Sequence, residues 1–275
     1  MKRRHIVLLG ILAVLVLAAL IYTRPMTLQQ IGKVDIAQCE SVSGYHRRAP
    51  DSEFTSFELS AEDERCSQLI DLFTQQKYRR SLINLLSPGG GSTHRNNVVE
   101  GYPVAEFFNK NGYNAFVLQR RVNPYAAVDQ QLDLARAIRY LRHNASEKHI
   151  GKTDIMIAVG FSAGGMNVMQ VVADQFGTTN TPDKVYPSYV CDAVDHESAD
   201  LNVAIPIYGL FVTGLNFTKN PNLPPVFGVV GQKDGLSAMM LPSLPECADI
   251  FKDFSFYLAP DAPHGVGLGT GTKGY

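Results

Sequence analysis

The chain has 275 residues, of which 45% are hydrophobic and 19% charged, a composition typical of a globular protein with a substantial core. This length fits one large domain, or one domain with a small appendage. The formal net charge is −1, which excludes the strongly basic surface of a polyanion-binding protein, so we expect no nucleic-acid partner.

Residues 1–25 predict a membrane-targeting segment. Lys2, Arg3 and Arg4 precede an uncharged apolar run over residues 6–22. As a helix this run would span about 26 Å, slightly less than the roughly 30 Å core of a bilayer. It is long for a signal peptide and lacks an Ala-x-Ala cleavage pattern, which favours an uncleaved anchor helix. A cleaved signal and a buried core helix are the alternatives. With the basic flank first, we expect the remaining chain to be extracytoplasmic, anchored to the membrane or, after cleavage, secreted.

The four cysteines allow two disulfides in an exported protein. Their order along the chain favours the pairs Cys39–Cys66 and Cys191–Cys247, and four buried free thiols are the alternative. The sequence has no Cys-x-x-Cys motif and no Cys/His cluster, so we predict no metal site.

Residues 26–80 predict a small strand–strand–helix region. The stretches KVDIAQCESVSGY and SEFTSFEL have the apolar content of strands. In the following LSAEDERCSQLIDLFTQQKYRR, Ser60 stands as a helix N-cap, and Leu69, Ile70 and Phe73 recur at helical spacing. We find no candidate catalytic residue in this region.

From residue 81 onward, short apolar runs alternate with amphipathic stretches. The runs predict strands at 81–87, 114–119, 154–160, 202–209, 225–231 and 254–259. Between them the sequence predicts helices near 98–111, 126–146, 163–176 and 236–252. Runs that are apolar on both faces and separated by helices indicate an α/β fold, with a mostly parallel sheet covered by helices on both sides. Ligands of such sheets bind beyond the carboxyl ends of the strands.

The motif Gly160-Phe161-Ser162-Ala163-Gly164 lies between a predicted strand and a predicted helix. This context is typical of a nucleophile elbow, a sharp turn that lifts a serine hydroxyl above the sheet. The glycines are needed because a Cβ atom there would collide with a neighbouring strand or helix. Ser162 is therefore the candidate nucleophile.

A serine nucleophile needs a histidine base and a carboxylate that orients it, in the chain order Ser, Asp or Glu, His. Downstream histidines are His196 and His264, and we favour His264 because it follows the last strand. Asp234 follows the strand at 225–231 and is the preferred acid. Asp192, Asp195 and Asp200 precede a strand and so fall on the wrong side of the sheet, whereas Asp253 and Asp261 are less favoured alternatives.

Three consecutive glycines follow the first strand of this region, in SPGGGST. A glycine turn at a strand end leaves backbone N–H groups bare and lets them approach a tetrahedral intermediate closely. We predict an oxyanion hole formed by the N–H groups of Gly90, Gly91 and Ala163.

With these motifs, residues 85–265 resemble the α/β-hydrolase superfamily, and within it the acetyl esterase and acetylxylan (feruloyl) esterase-like group. The resemblance rests on PGGGS, EGYPVAEFFNKNGYNAFVLQRRV, DLARAIRYLR, GFSAGG, VDHESADLNVAIPIYG, PPVFGVVGQKDG and PHGVGLG, in the expected order over about two-thirds of the chain. It implies a Ser162–Asp234–His264 triad and gives Arg121 and Asp133 structural roles. Pro88 departs from the His of the HGGG motif in lipase-type relatives, which moves the resemblance toward carbohydrate esterases.

The sequence thus predicts three parts: a membrane segment at 1–25, a small region at 26–80 and a hydrolase domain at 81–275. The predicted activity is hydrolysis of short-chain acyl esters by a serine carboxylesterase without metal or cofactor. Short segments between the strands leave no room for a large cap, which favours acylated carbohydrate as substrate. A peptidase or amidase of the same fold, and a non-catalytic binding protein, are the alternatives. The absence of tryptophan counts against a sugar substrate, because aromatic faces often stack on sugar rings. Four tyrosines are candidates to replace it, with ordinary packing or surface roles as the alternative: Tyr102, Tyr113, Tyr125 and Tyr208.

Overall fold

A computed structural model describes residues 53–58, 69–74, 82–111, 113–144, 155–173, 181–218 and 220–268. The predicted anchor at 1–25 lies outside these ranges. No helix within them combines the length and apolar character needed to span a membrane. The structure describes side chains from residue 83 onward.

The described strands form one eight-stranded sheet in the order β1-β2-β4-β3-β5-β6-β7-β8. The six strands from β4 to β8 in this order run parallel, and β1 and β2 join antiparallel at one edge. Their bounds are β1 Glu53–Glu58, β2 Leu69–Thr74, β3 Leu82–Ser87, β4 Asn114–Gln119, β5 Ile155–Phe161, β6 Val203–Ile207, β7 Val226–Gly231 and β8 Phe254–Ala259.

The helices lie on both faces of the sheet. They are α1 Tyr102–Lys110, preceded by a π-helical turn at Asn97–Gly101, then α2 Ala127–Asn144, α3 Ala163–Ala173, α4 Ser237–Met240 and α5 Leu244–Ile250. Residues from α2, α3 and α5 pack on one face in a cluster with Ile83 and Leu85, whereas α1 and Met240 pack on the other face with Leu86. The side chains of Leu85 and Leu86, which are successive residues of β3, thus point to opposite faces of the sheet, as expected for a pleated strand. The predicted α/β arrangement of strands and helices is confirmed for this part of the chain.

The predicted helix between Ser60 and Arg80 is wrong over residues 69–74. These residues form strand β2, which pairs with β1 on one side and β4 on the other, as in Asp71 with Ser56 and with Val117. Their apolar spacing fits a helix when considered alone. Partners on both sides complete the backbone hydrogen bonds of β2, so the tertiary context overrides the local pattern. The first strand predicted in this region, KVDIAQCESVSGY, lies outside the described residues.

The stretch predicted as one helix at 236–252 is broken into three pieces. Helix α4 ends at Met240, a 3₁₀ turn follows at Leu241–Ser243, and α5 begins at Leu244. Pro242 and Pro245 each occupy the first turn of a new piece, where a missing N–H costs nothing. A single straight helix would have placed both prolines in its interior.

The disulfide predicted between Cys191 and Cys247 is wrong, since both cysteines are free. Cys247 is fully buried on α5 in the same core cluster as Phe251, and this burial raises the pKa of its thiol to about 11. The Cys191 thiol instead contacts the carboxylate of Asp183 at 3.3 Å. The other predicted pair, Cys39–Cys66, lies outside the described residues.

Candidate active site

Ser162 occupies a sharp turn between β5, which ends at Phe161, and α3, which begins at Ala163. Its φ is +50°, a strained value for a residue with a side chain. The Ser162 N–H donates to the Ile207 carbonyl at 2.9 Å, and its carbonyl accepts from the Met166 N–H at 3.0 Å, so the turn is held from both sides.

The two glycines of the motif are required by packing. A Cβ atom at residue 160 would overlap the backbone of Gly164, and one at residue 164 would overlap the carbonyl oxygen of Ser87 at the end of β3. Helix α3 therefore approaches the sheet more closely than any larger residue would permit. This close approach is what places the Ser162 side chain at the carboxyl edge of the sheet.

The structure brings Ser162, His264 and Asp234 together in one hydrogen-bonded row. His264 Nε2 lies 2.8 Å from Ser162 Oγ, and His264 Nδ1 lies 2.9 Å from Asp234 Oδ2. The Asp234 side chain is fully buried, whereas the His264 side chain is 33% exposed. Since a carboxylate only accepts hydrogen bonds, Nδ1 carries the proton and Nε2 is left to accept from the serine hydroxyl.

The other predicted candidates are held elsewhere. His196 is exposed in a 3₁₀ turn, Val194–His196. Asp192 and Asp195 pair with Arg136. Asp200 accepts a hydrogen bond from the side-chain amide of Asn222, and Asp261 pairs with Lys233.

The glycine turn after β3 lies against Ser162. A Cβ atom at Gly89 would come within 2.8 Å of Ser162 Cβ. The Gly89 carbonyl accepts from Asn96 N–H at 3.1 Å, and the Gly90 carbonyl accepts from Thr93 N–H at 3.0 Å. Because N–H and C=O of a trans peptide point in opposite directions, the N–H groups of Gly90 and Gly91 are directed away from residues 93–96.

Of the predicted oxyanion donors, Gly90 directly follows the glycine that contacts Ser162, and Gly91 has open space at its Cβ position. Both have positive φ, +117° and +57°, which explains the need for glycine. Ala163 is the first residue of α3, where an N–H has no partner within the helix. The helix N-terminus also favours negative charge at this point.

Two buried ionic residues next to this turn, Arg120 and Glu100, are not among the residues predicted from the sequence. Arg120 is fully buried and donates through Nη1 to the Pro88 carbonyl. Glu100 accepts from the Gly89 N–H at 2.6 Å and from the Tyr208 hydroxyl at 2.8 Å. The signal in the sequence was the presence of ionic residues in apolar segments, Glu100 within NNVVEGYPVA and Arg120 after NAFVLQ.

Arg121, which is partly exposed, and the buried Asp133 form an ion pair at 2.8 Å, which joins the residues after β4 to helix α2. Burial raises the pKa of the Asp133 carboxyl, and the neighbouring Arg121 opposes this effect. A contact between two elements of the fold is compatible with the structural roles expected for Arg121 and Asp133. Within the described ranges, no group of three or more His, Cys, Asp or Glu residues is arranged to hold a metal ion.

Two of the tyrosines considered for stacking on a sugar are unavailable. Tyr102 is 2% exposed and Tyr208 is 1% exposed, so neither ring offers a face to a ligand. Tyr113 packs edge-on against Phe108, and the ring of Tyr125 lies 5.4 Å from the Arg121 guanidinium carbon. The predicted stacking on a sugar is therefore wrong for Tyr102 and Tyr208, because both rings are buried in the hydrophobic core.

No protein-family model matches the chain. It is similar to an acetylxylan esterase of Xylanibacter ruminicola, with 24% identity over 235 residues, which cover 79% of this chain and 47% of the relative. The chain thus spans about half the length of that curated relative.

Solved structures resemble the fold over most of the chain. The acetyl ester-xyloside bifunctional hydrolase of Caldicellulosiruptor lactoaceticus superposes with a TM-score of 0.63 at 22% identity, over 82% of this chain and 93% of its own. A carboxylesterase of Lactobacillus plantarum gives a TM-score of 0.58 at 19% identity, over 82% and 89% of the two chains. An α/β hydrolase from a deep-sea metagenome of the Medee basin gives 0.56 at 20% identity, over 80% and 86%. The chain has the α/β-hydrolase fold and resembles the acetyl esterase and acetylxylan esterase-like group.

Proposed function

We propose that this protein is a serine carboxylesterase that hydrolyses short-chain acyl esters. The observation that carries the proposal is the row of hydrogen bonds from Asp234 through His264 to Ser162, with the serine on a strained turn. This arrangement activates a hydroxyl for attack on an acyl carbonyl. Similarity to an acetylxylan esterase and to solved esterases supports an ester as the substrate.

In the proposed first step, Ser162 Oγ attacks the acyl carbonyl and passes its proton to His264 Nε2. The N–H groups of Gly90, Gly91 and Ala163 hold the negative oxygen of the tetrahedral intermediate. When the intermediate collapses, the bond to the alcohol breaks and His264 gives its proton to the departing oxygen. Water then attacks the acyl-serine, loses a proton to His264, and releases the acid and the regenerated hydroxyl.

The accessibility of the site supports a small acyl group on a bulky alcohol, with acetylated carbohydrate as the proposed substrate class. One-third of the His264 side chain is exposed, so the leaving alcohol can remain outside the protein. Between α3 and β6, the described residues 181–202 contain two short 3₁₀ turns, Pro182–Lys184 and Val194–His196, in place of a helical cap. The acetylxylan esterase relative supports the same substrate class.

The test is hydrolysis of acetyl, butyryl and octanoyl p-nitrophenyl esters and of acetylated xylan, with aminoacyl amides as the comparison. We expect the acetyl ester to be preferred, and Ser162→Ala to lower kcat on the order of 10⁴-fold or more. Ser255→Ala, at an exposed position of β8, is the matched control and should retain activity. Amide hydrolysis exceeding ester hydrolysis would favour a peptidase, and equal activity of wild type and Ser162→Ala would overturn the proposal.

A further inference from the structure

Two buried ionic side chains hold one peptide group of the glycine turn. Arg120 donates to the carbonyl of Pro88, and Glu100 accepts from the N–H of Gly89 at 2.6 Å. These are the two polar ends of the Pro88–Gly89 peptide bond. Arg120 is 0% exposed and Glu100 is 2% exposed, so water competes for neither contact.

The charges match the polarity of that peptide group. Its carbonyl end is negative and meets a guanidinium, while its N–H end is positive and meets a carboxylate. Hydrogen bonds to ionised partners are roughly twice as strong as those between neutral groups. Since the two ends of a trans peptide point in opposite directions, partners at both ends fix the orientation of the peptide plane.

The next peptide group, Gly89–Gly90, is held through its carbonyl by the N–H of Asn96 at 3.1 Å. The direction of the Gly90 N–H, a proposed oxyanion donor, is therefore determined by two successive fixed planes. A glycine-rich turn would otherwise have wide conformational freedom. Glu100 itself lies in the π-helical turn Asn97–Gly101, a type of distortion that is frequent at functional sites.

The second oxygen of Glu100 connects the turn to the histidine. Glu100 Oε1 accepts from the Tyr208 hydroxyl at 2.8 Å, and that hydroxyl accepts from the Gly267 N–H at 3.1 Å. The Tyr208 ring also packs against the His264 ring, with the centroids 4.8 Å apart. The Glu100 carboxylate thus contacts both the glycine turn and Tyr208, and Tyr208 in turn contacts the loop that carries His264.

We propose that Glu100, with Arg120 at the other end of the same peptide group, is a positioning residue. It fixes the orientation of the glycine turn after β3 and connects that turn, through Tyr208, to the loop that carries His264. This inference rests on the proposed esterase function. The two carboxylate oxygens of Glu100 accept from Gly89 and Tyr208, whereas the hydrogen bonds of His264 go to Ser162 and Asp234. The effect of Glu100 on the reaction is therefore through the backbone it holds.

The contacts of Arg120 and Glu100 with the Pro88–Gly89 peptide group form a clamp on the turn. Amide hydrogen exchange in the full chain tests this clamp and needs no catalytic activity. In Glu100→Gln, a side chain of the same shape has one acceptor oxygen for two donors. We expect exchange of the Gly89 N–H to become at least about tenfold faster, because its buried hydrogen bond is weakened or lost. Tyr208→Phe keeps the bond to Gly89 and should leave that exchange rate unchanged.

The catalytic consequence is tested by separating kcat from KM. An oxyanion donor acts mainly in the transition state, so Glu100→Gln should lower kcat for the acetyl ester about tenfold, and Glu100→Ala about 10²-fold, with little change in KM. A trifluoromethyl ketone that forms a tetrahedral adduct with serine should bind more weakly by the same factor as kcat/KM falls. A purely structural defect would lower the active fraction and leave the inhibition constant of the remaining enzyme unchanged.

Glu106→Gln, which removes a carboxylate from helix α1, is the matched control and should leave Gly89 exchange and kcat unchanged. Unchanged Gly89 exchange in both Glu100 variants would overturn the clamp even if the esterase is active. A fall in activity caused by KM alone, or an unchanged inhibition constant, would overturn its catalytic role. Absence of ester hydrolysis by the wild type is a separate outcome, which would overturn the proposed function and the catalytic part of this inference but not the clamp.

Discussion

At the scale of single residues, Asp234 and His264 differ in exposure in the way that the proposed chemistry requires. The Asp234 side chain is fully buried, and its second oxygen accepts from the Leu236 N–H at 2.7 Å, which fixes the carboxylate. His264 keeps an accessible edge toward Ser162. A buried acceptor of this kind selects one tautomer of the imidazole and holds its plane.

We therefore expect Asp234→Asn to lower kcat on the order of 10³- to 10⁴-fold, because the amide can donate to Nδ1 and stabilise the wrong tautomer. The rate of p-nitrophenyl acetate hydrolysis at neutral pH measures the effect. Asp253→Asn, at an exposed position flanking β8, should retain full activity. The reverse outcome, with activity lost in Asp253→Asn and kept in Asp234→Asn, would reassign the acid.

Candidate roles could be predicted from the sequence for residues that follow the ends of predicted strands. They could not be predicted for residues that bind backbone atoms. Ser162, Asp234 and His264 could be singled out because each follows an apolar run and the fold fixes their chain order. Glu100 was not singled out, because its partners are a backbone N–H and a hydroxyl 108 residues away. Neither partner leaves a pattern in the sequence around Glu100.

At the scale of elements, the approach of α3 to the end of β3 sets the geometry of the site. This contact depends on Gly164, where an added methyl group would meet the Ser87 carbonyl. Backbone atoms cannot move aside as the end of a flexible side chain can. The element pair is therefore sensitive to a single methyl group at this position.

We expect Gly164→Ala to reduce the free energy of unfolding by about 1–3 kcal/mol or more, through overpacking. Denaturant unfolding followed by circular dichroism measures this change. Gly235→Ala is the matched control, since a Cβ atom there has no neighbour within 4 Å. Equal stability of the two variants would contradict the packing argument.

An ion pair connects helix α2 to the segment before β6. Arg136 contacts Asp192 through two hydrogen bonds, 2.6 and 2.7 Å long, and these hold the pKa of Asp192 at about 2. A carboxyl group whose pKa is lower in the folded state stabilises the fold above its unfolded pKa of about 3.9. This stabilisation is lost as the pH falls toward the folded value.

Asp192→Asn should accordingly cost at most about 1 kcal/mol at pH 7, because the Asp192 side chain is 54% exposed and water screens the pair. At pH 3, midway between the two pKa values, about half of the difference should remain. Urea unfolding of both proteins at each pH measures it. A difference between the variants that grows on acidification would contradict the assigned direction.

Elements with strong local patterns were predicted well, and elements stabilised by distant partners were not. Strands β4 and β8 have the predicted bounds, because their apolar runs are short and each has a charged residue at one end, Arg120 after β4 and Asp253 before β8. Strand β2 was predicted as part of a helix, because its pairing with β1 and β4 is encoded in residues far along the chain. The break between α4 and α5 is encoded locally, in Pro242 and Pro245.

At the scale of the whole molecule, β1 and β2 extend the parallel sheet at its β4 edge. All six residues of β4 are buried, and β2 supplies hydrogen-bonding partners along one side of it. An unpaired strand edge with apolar content promotes association with other chains. The small N-terminal region thus contributes two strands to the sheet that carries the site.

A protein shortened to residues 81–275 should therefore be less stable than the full chain and prone to aggregate, because β4 would become an open edge. Thermal unfolding and size-exclusion chromatography test this expectation. A protein lacking only residues 1–25 keeps all eight strands and is the control. A monomeric 81–275 protein with unchanged stability would instead support an independent hydrolase domain.

The order of strands explains how distant parts of the sequence form one site. Parallel strands place their carboxyl ends on one edge, so the glycine turn after β3 and Ser162 after β5 are neighbours, with Asp234 after β7 and His264 after β8 on the same edge. This convergence could be predicted from the α/β pattern alone. The antiparallel extension could not, since its strands lack such a regular alternation with helices.

The most direct measurement is the site of acylation. Wild-type protein is mixed with p-nitrophenyl acetate, quenched in acid within the first turnover, digested and analysed by mass spectrometry. We expect a single acetyl group on the peptide that contains Ser162, and none in Ser162→Ala. Rapid turnover without any acyl-enzyme at residue 162, or acetyl transferred to another side chain in its place, would contradict it.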